Sequence, residues 1–160
     1  MNQELAIKNV LDTWHSNISR VDNLLSTLTD EQLQNEVAPG RNRGTYLLGH
    51  LTAVHDRMFS MLGIGNPLYP HLDEPFITKP DKAVADLPSA ADLRNYWKEV
   101  NTTLAKHFAT LQPDEWFQKH TSVSDEDFAK EPHRNRLNII ITRTNHLSYH
   151  FGQMAFLKSK

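Results

Sequence analysis

The chain of 160 residues contains no cysteine. Disulfides, thiolate ligands for a metal and cysteine nucleophiles are therefore excluded, and any thiol chemistry would need a thiol supplied with the substrate. The sequence also lacks an excess of basic charge, because 17 Lys and Arg stand against 19 Asp and Glu and leave a formal net charge of -2. A surface for nucleic acid or an anionic membrane needs concentrated positive charge, so we expect neither partner.

Long apolar runs and signal sequences are missing as well. No apolar run approaches the roughly 20 residues that cross a bilayer. The segment before Trp14 has no basic region followed by an apolar core, which a secretory signal requires. The sequence has no glycine-rich phosphate loop, since residues 63–66 have the pattern of a helix end. These absences predict a soluble, cytoplasmic protein.

The remaining composition is that of an ordinary globular protein, with 39% hydrophobic and 22% charged residues. This length is enough for one sizeable core, so we predict a single domain over residues 1–160. Apolar residues recur at helical spacing in four segments. The segments are residues 7–28, 47–61, 93–111 and 137–154. They predict an all-α fold, specifically a four-helix bundle.

The connections between these helices predict their order in space. The connection over residues 64–88 is too long for a hairpin, and its prolines favour an extended path. The prolines are Pro67, Pro70, Pro75, Pro80 and Pro88. A long crossover between the second and third helices makes them parallel, which predicts a down-up-up-down bundle.

Two further features concern the surface of the bundle. In the second long connection, residues 112–133, Trp116 and Phe117 are interpreted as a lid over one end. In the last helix, Ile139, Ile141 and Phe156 widen the apolar surface beyond one stripe. A homodimer contact and an inner position in the bundle both explain that width.

Nine histidines are the compositional peculiarity of the chain. His146 and His150 are four residues apart, so their imidazoles lie on one face of the last helix and can share a metal ion. Apolar residues further along this face on either side, Ile139 and Leu157, indicate an internal position. A buried imidazole needs partners for both nitrogens, and a metal with a nearby acceptor such as Gln153 supplies them. The alternative is a pair of polar residues on a solvated helix surface.

His50 is the predicted third ligand. It lies between Leu47 and Val54, at the flank of the buried stripe near the start of the second helix. If the second and last helices are antiparallel, all three imidazoles lie at similar depth, whereas a parallel pair would separate them by about 10 Å. His55 lies on the opposite flank and is interpreted as a partly exposed polar residue. His71 and His120 lie in connections, where nothing in the sequence selects them.

Two segments resemble a known family. Residues 45–51, TYLLGHL, resemble the second-helix motif of the DinB (YfiT-like) superfamily, and residues 145–153, NHLSYHFGQ, resemble its C-terminal HxxxHxGQ motif. Residues 37–40, VAPG, resemble a further family feature more weakly. The resemblance implies a down-up-up-down bundle, often a homodimer, that holds a divalent ion such as zinc or nickel through three histidines. Those ligands correspond to His50, His146 and His150.

The leading functional hypothesis is a metal-dependent transferase or hydrolase acting on a small molecule. The resemblance includes S-transferases that use low-molecular-weight thiols, a possibility compatible with the lack of cysteine. His55, Asp56 and Tyr149 are the candidates for a general base, by proximity in sequence alone. A metal- or ligand-binding stress-response bundle without turnover is the second hypothesis. A structural bundle whose histidines only make hydrogen bonds is the third.

Overall fold

The computed structural model describes residues 2–159 of the chain. Apart from two isolated β-bridges, the regular elements in that range are all helical, which confirms the predicted all-α class. The α-helices are α1 (Gln3–Thr27), α2 (Asp30–Leu33), α3 (Gly44–Asp56), α4 (Met58–Leu62), α5 (Ala90–Phe108), α6 (Asp125–Lys130) and α7 (Arg136–Met154). No described helix is both long enough and apolar enough to cross a bilayer.

Local sequence signals set the ends of several helices. Ser89 and Asp92 form a reciprocal capping box at the start of α5, with the Ser89 side chain accepting from the Asp92 amide and the Asp92 carboxylate accepting in return. Such caps satisfy amides that have no partner inside the helix. Gly63 ends α4 with a φ of 65°, a left-handed conformation that glycine adopts without strain. The predicted second helix is divided at Arg57 into α3 and α4.

Helix α3 lies in the middle of the protein, in contact with both α5 and α7, and α1 packs along α7. The start of α3 lies against the residues that follow α7, because a Cβ atom on Gly44 would come within 2.6 Å of Leu157 Cδ1. At the other end, the Arg143 side chain contacts Met61 of α4 at 3.5 Å. Helices α3 and α7 are therefore antiparallel, and His50 faces the second half of α7.

The connection between α4 and α5 is partly helical rather than extended throughout, so that part of the prediction was wrong. It contains a 3-10 turn over Pro70–Leu72 and a π-helical turn over Glu74–Thr78. A proline lies in the first positions of each turn, where the missing N–H is not needed. The Asp56 carboxylate accepts hydrogen bonds from the Leu68 and Tyr69 amides, both at 2.7 Å, and ties the connection to α3.

Trp116 covers one end of the helices as a core residue rather than as a lid. It is buried, and its ring lies 5.5 Å from that of Phe108 at the end of α5. Ile7 belongs to the same buried cluster. This end of the protein lies beside the first turn of α7, away from the second half of that helix.

Candidate metal centre

The structure brings together the three histidines that the spacing selected. Nε2 of His146 lies 3.1 Å from Nε2 of His50 and 3.1 Å from Nε2 of His150. One ligand atom from each residue lies within 4.8 Å of the other two. All three side chains are partly buried, between the middle of α3 and the second half of α7.

A backbone carbonyl determines which nitrogen of His50 carries the proton. Nδ1 of His50 lies 2.7 Å from the Phe76 carbonyl oxygen, which can only accept, so Nδ1–H donates and Nε2 keeps its lone pair. Gly49 makes this contact possible, because a Cβ atom there would lie 2.3 Å from the Phe76 ring. The Gly-His pair of the motif therefore has a physical basis: glycine admits Phe76, whose carbonyl orients the histidine.

His150 is oriented in a similar way from within its own helix. Its Nδ1 lies 2.8 Å from Oε1 of Gln153, and the amide nitrogen of Gln153 donates to the Tyr149 hydroxyl at 3.2 Å. This amide orientation leaves Oε1 as an acceptor, so Nδ1–H of His150 donates and its Nε2 also carries a lone pair. Gln153, predicted as a polar neighbour of His150, has that role in the structure.

The environment keeps all three imidazoles neutral near pH 7. Burial, followed by the proximity of His150 and His50, lowers the pKa of His146 to about 4. Burial is also the largest cause of the lowered pKa of His50 and of His150. Neutral imidazole is the form that binds a metal, so this site needs no deprotonation step to bind one at neutral pH.

The donor set fits a divalent cation. Because His50 and His150 are protonated on Nδ1, each has a lone pair on Nε2, and both lone pairs face Nε2 of His146. A proton on Nε2 of His146 could make a hydrogen bond to only one of these two nitrogens. Zn–N bonds of 2.0–2.1 Å in a tetrahedral site imply N–N separations of about 3.3 Å. The two 3.1 Å separations from Nε2 of His146 are close to this value, and the three ligand atoms all lie within 4.8 Å of one another. A cation at the centre provides all three lone pairs with a partner.

His55 corrects the sequence interpretation, because it is fully buried rather than partly exposed. Its Nδ1 lies 2.8 Å from Oδ1 of Asn101, and its ring lies between the indoles of Trp14 and Trp97, with centroids at 4.7 and 5.1 Å. The prediction failed because it assigned α3 a single apolar flank, whereas other helices surround α3. The segment from Leu47 to Val54 contains few polar residues. This composition was the signal in the sequence that α3 is buried on more than one side.

The three candidate bases have very different surroundings. His55 is in the core, and the Asp56 carboxylate is occupied by two backbone amides. Tyr149 is 64% exposed, and its ring centroid lies 5.0 Å from that of His150. Of these three, only Tyr149 lies at the solvent-facing edge of the histidine cluster.

Sequence reasoning missed one charged residue near the cluster. Arg143 precedes His146 by three residues on α7 and is partly buried, with Nη2 3.5 Å from Met61 Sδ. Its charge is close enough to contribute to the lowered pKa of His50 and of His146. The spacing of three residues from His146 was a signal that could have identified it.

The similarities of this chain to known proteins agree with its all-α fold. A model of the DinB superfamily matches residues 13–154. The crystal structure of a conserved protein from Enterococcus faecalis is similar, with a TM-score of 0.65 and 18% identity over 94% of each chain. At that identity the likeness shows the fold alone. No curated protein matches the chain significantly.

Proposed function

Because the chain belongs to the DinB superfamily, we propose that it binds a divalent metal ion through His50, His146 and His150. The observation that carries the proposal is the meeting of three Nε2 atoms, two of them with a proton fixed on the opposite ring nitrogen. Imidazole ligands suit zinc and nickel among the divalent ions, and these are the ions we propose.

We propose that the site makes the protein a metal-dependent enzyme, an S-transferase using a low-molecular-weight thiol or a hydrolase. A divalent ion held by three neutral ligands keeps its full charge and can lower the pKa of a thiol or water at an open position. The protein would hold the three imidazoles neutral, and hydrogen bonds at Nδ1 orient two of them, His50 and His150. Nδ1 of His146 is buried without a hydrogen-bond partner. Since the chain has no cysteine, the thiol would come from a co-substrate.

A small cleft next to Gln153 offers space for a small molecule near the cluster, although none of the three histidines forms part of its wall. Its volume is about 200 Å³, and Gln153, the residue that orients His150, forms part of its wall. The other lining residues are Val37, Gly40, Arg41 and Asn42. Among the described residues, the only group of His, Asp or Glu with metal-ligand spacing at this site is the three histidines. With three protein ligands, a tetrahedral ion would keep one coordination position open. An open coordination position favours catalysis over a closed site that only binds the metal.

The bundle topology, oligomeric state and location are also proposals. The antiparallel contact between α3 and α7 supports the down-up-up-down order. Ile141 and Phe156 are 41% and 65% exposed, which supports a homodimer contact along this edge of α7. A cytoplasmic location is a further proposal.

Metal analysis of protein purified without an affinity tag tests the proposal. We expect a single divalent ion per chain in the wild type and in a His15→Ala control, whose side chain is exposed on α1, and loss of the ion in His146→Ala. Unchanged metal content in His146→Ala would refute the ligand assignment.

The metal-loaded protein is then assayed with electrophiles and a panel of thiols. If the protein binds metal but converts none of these electrophiles with any thiol, the result would support the alternative function, a metal-binding protein without catalytic activity.

A further inference from the structure

Arg143 is a partly buried cation close to the histidine cluster with no anionic partner. It lies on the same face of α7 as His146, one turn closer to the start of the helix. Its Nε is buried without a hydrogen-bond partner, and Nη2 contacts only the weak acceptor Met61 Sδ at 3.5 Å. Within residues 2–159, no carboxylate forms a salt bridge with Arg143.

The charges around Arg143 are positive or neutralised. The charge of Arg57 acts on Arg143, and Arg57 is itself paired with Asp73 at 3.0 Å. Burial and the charge of Arg57 lower the pKa of Arg143, but an arginine stays protonated at neutral pH. The histidines that face it are kept neutral. The site therefore has one uncompensated positive charge in addition to any ion held by the histidines.

A second buried group without a hydrogen-bond partner lies in the loop that packs against Met61, close enough for the charge of Arg143 to affect it. His120 is buried, and its Nδ1 has no hydrogen-bond partner. The next residue, Thr121, donates its amide to the Met61 carbonyl at 2.9 Å, which holds this loop against the residue that Arg143 contacts. Leaving a buried polar group without a partner is unfavourable, and more so for a charged group. For Arg143 the missing partner is an acceptor, because a guanidinium can only donate, and its positive charge favours an acceptor with negative charge.

We propose that Arg143 binds a carboxylate of the substrate, so that the substrate of this site is a small carboxylic acid. The inference rests on the proposed function and specifies its substrate class. A guanidinium presents parallel N–H donors that match a carboxylate. In the metal-free site, one unpaired cation beside neutral histidines compensates one carboxylate group, and the second carboxylate of a diacid can stay in solvent. A phosphate dianion carries both charges on one group, which makes its burial beside a single cation less favourable.

Binding of succinate to the metal-free protein, measured by calorimetry, tests the proposal apart from catalysis. We expect Arg143→Met to bind succinate at least about tenfold more weakly than the wild type, because hydrogen bonds to charged groups contribute about 1.5–3 kcal/mol. Arg143→Lys keeps the charge but not the paired donors and should bind with intermediate affinity. Arg20→Met, which removes an arginine that lies over the Phe151 ring, is the matched control and should bind as the wild type does.

Equal succinate affinity in the wild type and Arg143→Met, or no binding by the wild type, would overturn the inference. Tighter binding of inorganic phosphate than of succinate would overturn the choice of a carboxylate. Thermal unfolding checks that each variant folds, and Arg143→Lys serves if Arg143→Met does not. Metal content is measured separately on the same variants. Loss of succinate binding with metal retained is the expected result, whereas a wild type without metal would contradict the proposed function and not this inference.

Discussion

His50 and His55 lie on the same helix, five residues apart, in two regions with different chemistry. Each donates a hydrogen bond from Nδ1 to an oxygen, His50 to the Phe76 carbonyl and His55 to the Asn101 side chain. The Asn101 amide nitrogen donates to the Trp97 carbonyl at 2.8 Å, so its oxygen is the acceptor. Both histidines therefore carry the proton on Nδ1 and a lone pair on Nε2.

The two regions differ in what surrounds that lone pair. Nε2 of His50 faces two other imidazoles in a partly exposed cluster, whereas Nε2 of His55 is buried without a partner among aromatic rings. The comparison shows that orienting a histidine does not by itself make a metal ligand. A metal site also needs several lone pairs that converge on one point, and of these two regions the one around His50 has such a convergence.

Alanine substitutions at these two positions should have opposite consequences, and this is the largest effect we expect. His50→Ala should weaken metal binding more than about 100-fold, because loss of a ligand exceeds the 10–100-fold cost of losing an outer hydrogen-bond partner. His55→Ala should lower the free energy of unfolding by about 2–4 kcal/mol, since it leaves a cavity and an unsatisfied Asn101. Metal titration and urea denaturation of the metal-free proteins measure the two effects.

The distinction between the two histidines would be wrong if His55→Ala abolished metal binding or if His50→Ala left it unchanged. A His55→Ala protein that folds normally but binds no metal would place His55 in the metal site. A His50→Ala protein with wild-type metal affinity would remove His50 from it.

Acid should destabilise the region around His55 next most strongly. Burial lowers the pKa of His55 to about 3, from the usual 6.5, so the unfolded state binds a proton more readily than the folded state does. The stabilisation is complete above pH 6.5 and is lost as the pH falls from 6.5 towards 3, at up to about 1.4 kcal/mol per pH unit. At pH 5 the loss from His55 should be about 2 kcal/mol, measured by urea denaturation of the metal-free protein.

A double variant isolates this contribution from that of the histidine cluster, whose lowered pKa values act in the same direction. His55→Leu combined with Asn101→Leu replaces both partners by apolar groups, which can be nearly neutral for stability at pH 7. Its stability should fall less steeply between pH 6.5 and 4 than that of the wild type. An identical slope would show that His55 is not the group that titrates.

Gly49→Ala should give smaller effects than His50→Ala and His55→Ala, and it tests how His50 is oriented. The new methyl group would lie 2.3 Å from the Phe76 ring, so Phe76 must move, at an expected cost of about 1–3 kcal/mol. Movement of the Phe76 carbonyl away from His50 should also weaken metal binding by about tenfold. Thermal unfolding and metal titration provide the two measurements.

Gly152→Ala is the matched control within the second motif. A Cβ atom at Gly152 has no neighbour within 4 Å, so alanine should stabilise α7 by up to about 1 kcal/mol and leave metal binding unchanged. Equal behaviour of the two variants would contradict the role assigned to Gly49.

Much of the fold and the histidine trio were predictable because their signals are local or periodic. The capping pair at Ser89 and the helix end at Gly63 depend on hydrogen bonds and backbone conformation within a few residues. The spacing of His146 and His150 places them on one face of any helix. His50 required one long-range assumption, that α3 and α7 are antiparallel, and the structure has that arrangement.

Three features were not predictable in the same way. They are the burial of His55, the lack of an anionic partner for Arg143, and the helical turn that carries Phe76. Each depends on residues far away in the chain: Asn101 for His55, Met61 for Arg143, and Gly49 for Phe76. A periodic pattern indicates which face of a helix is apolar, but it does not show how many neighbours cover that helix.

By itself, the sequence determined the helical class, the main helix ends and the residue types able to bind a metal, because these follow from spacing and from chemistry within a few residues. Only the tertiary structure decided which histidine nitrogen carries a lone pair, which histidine is enclosed by indoles and which arginine lacks a counter-charge. Those properties arise from the distances between side chains of different helices, and such distances exist only once the chain has folded.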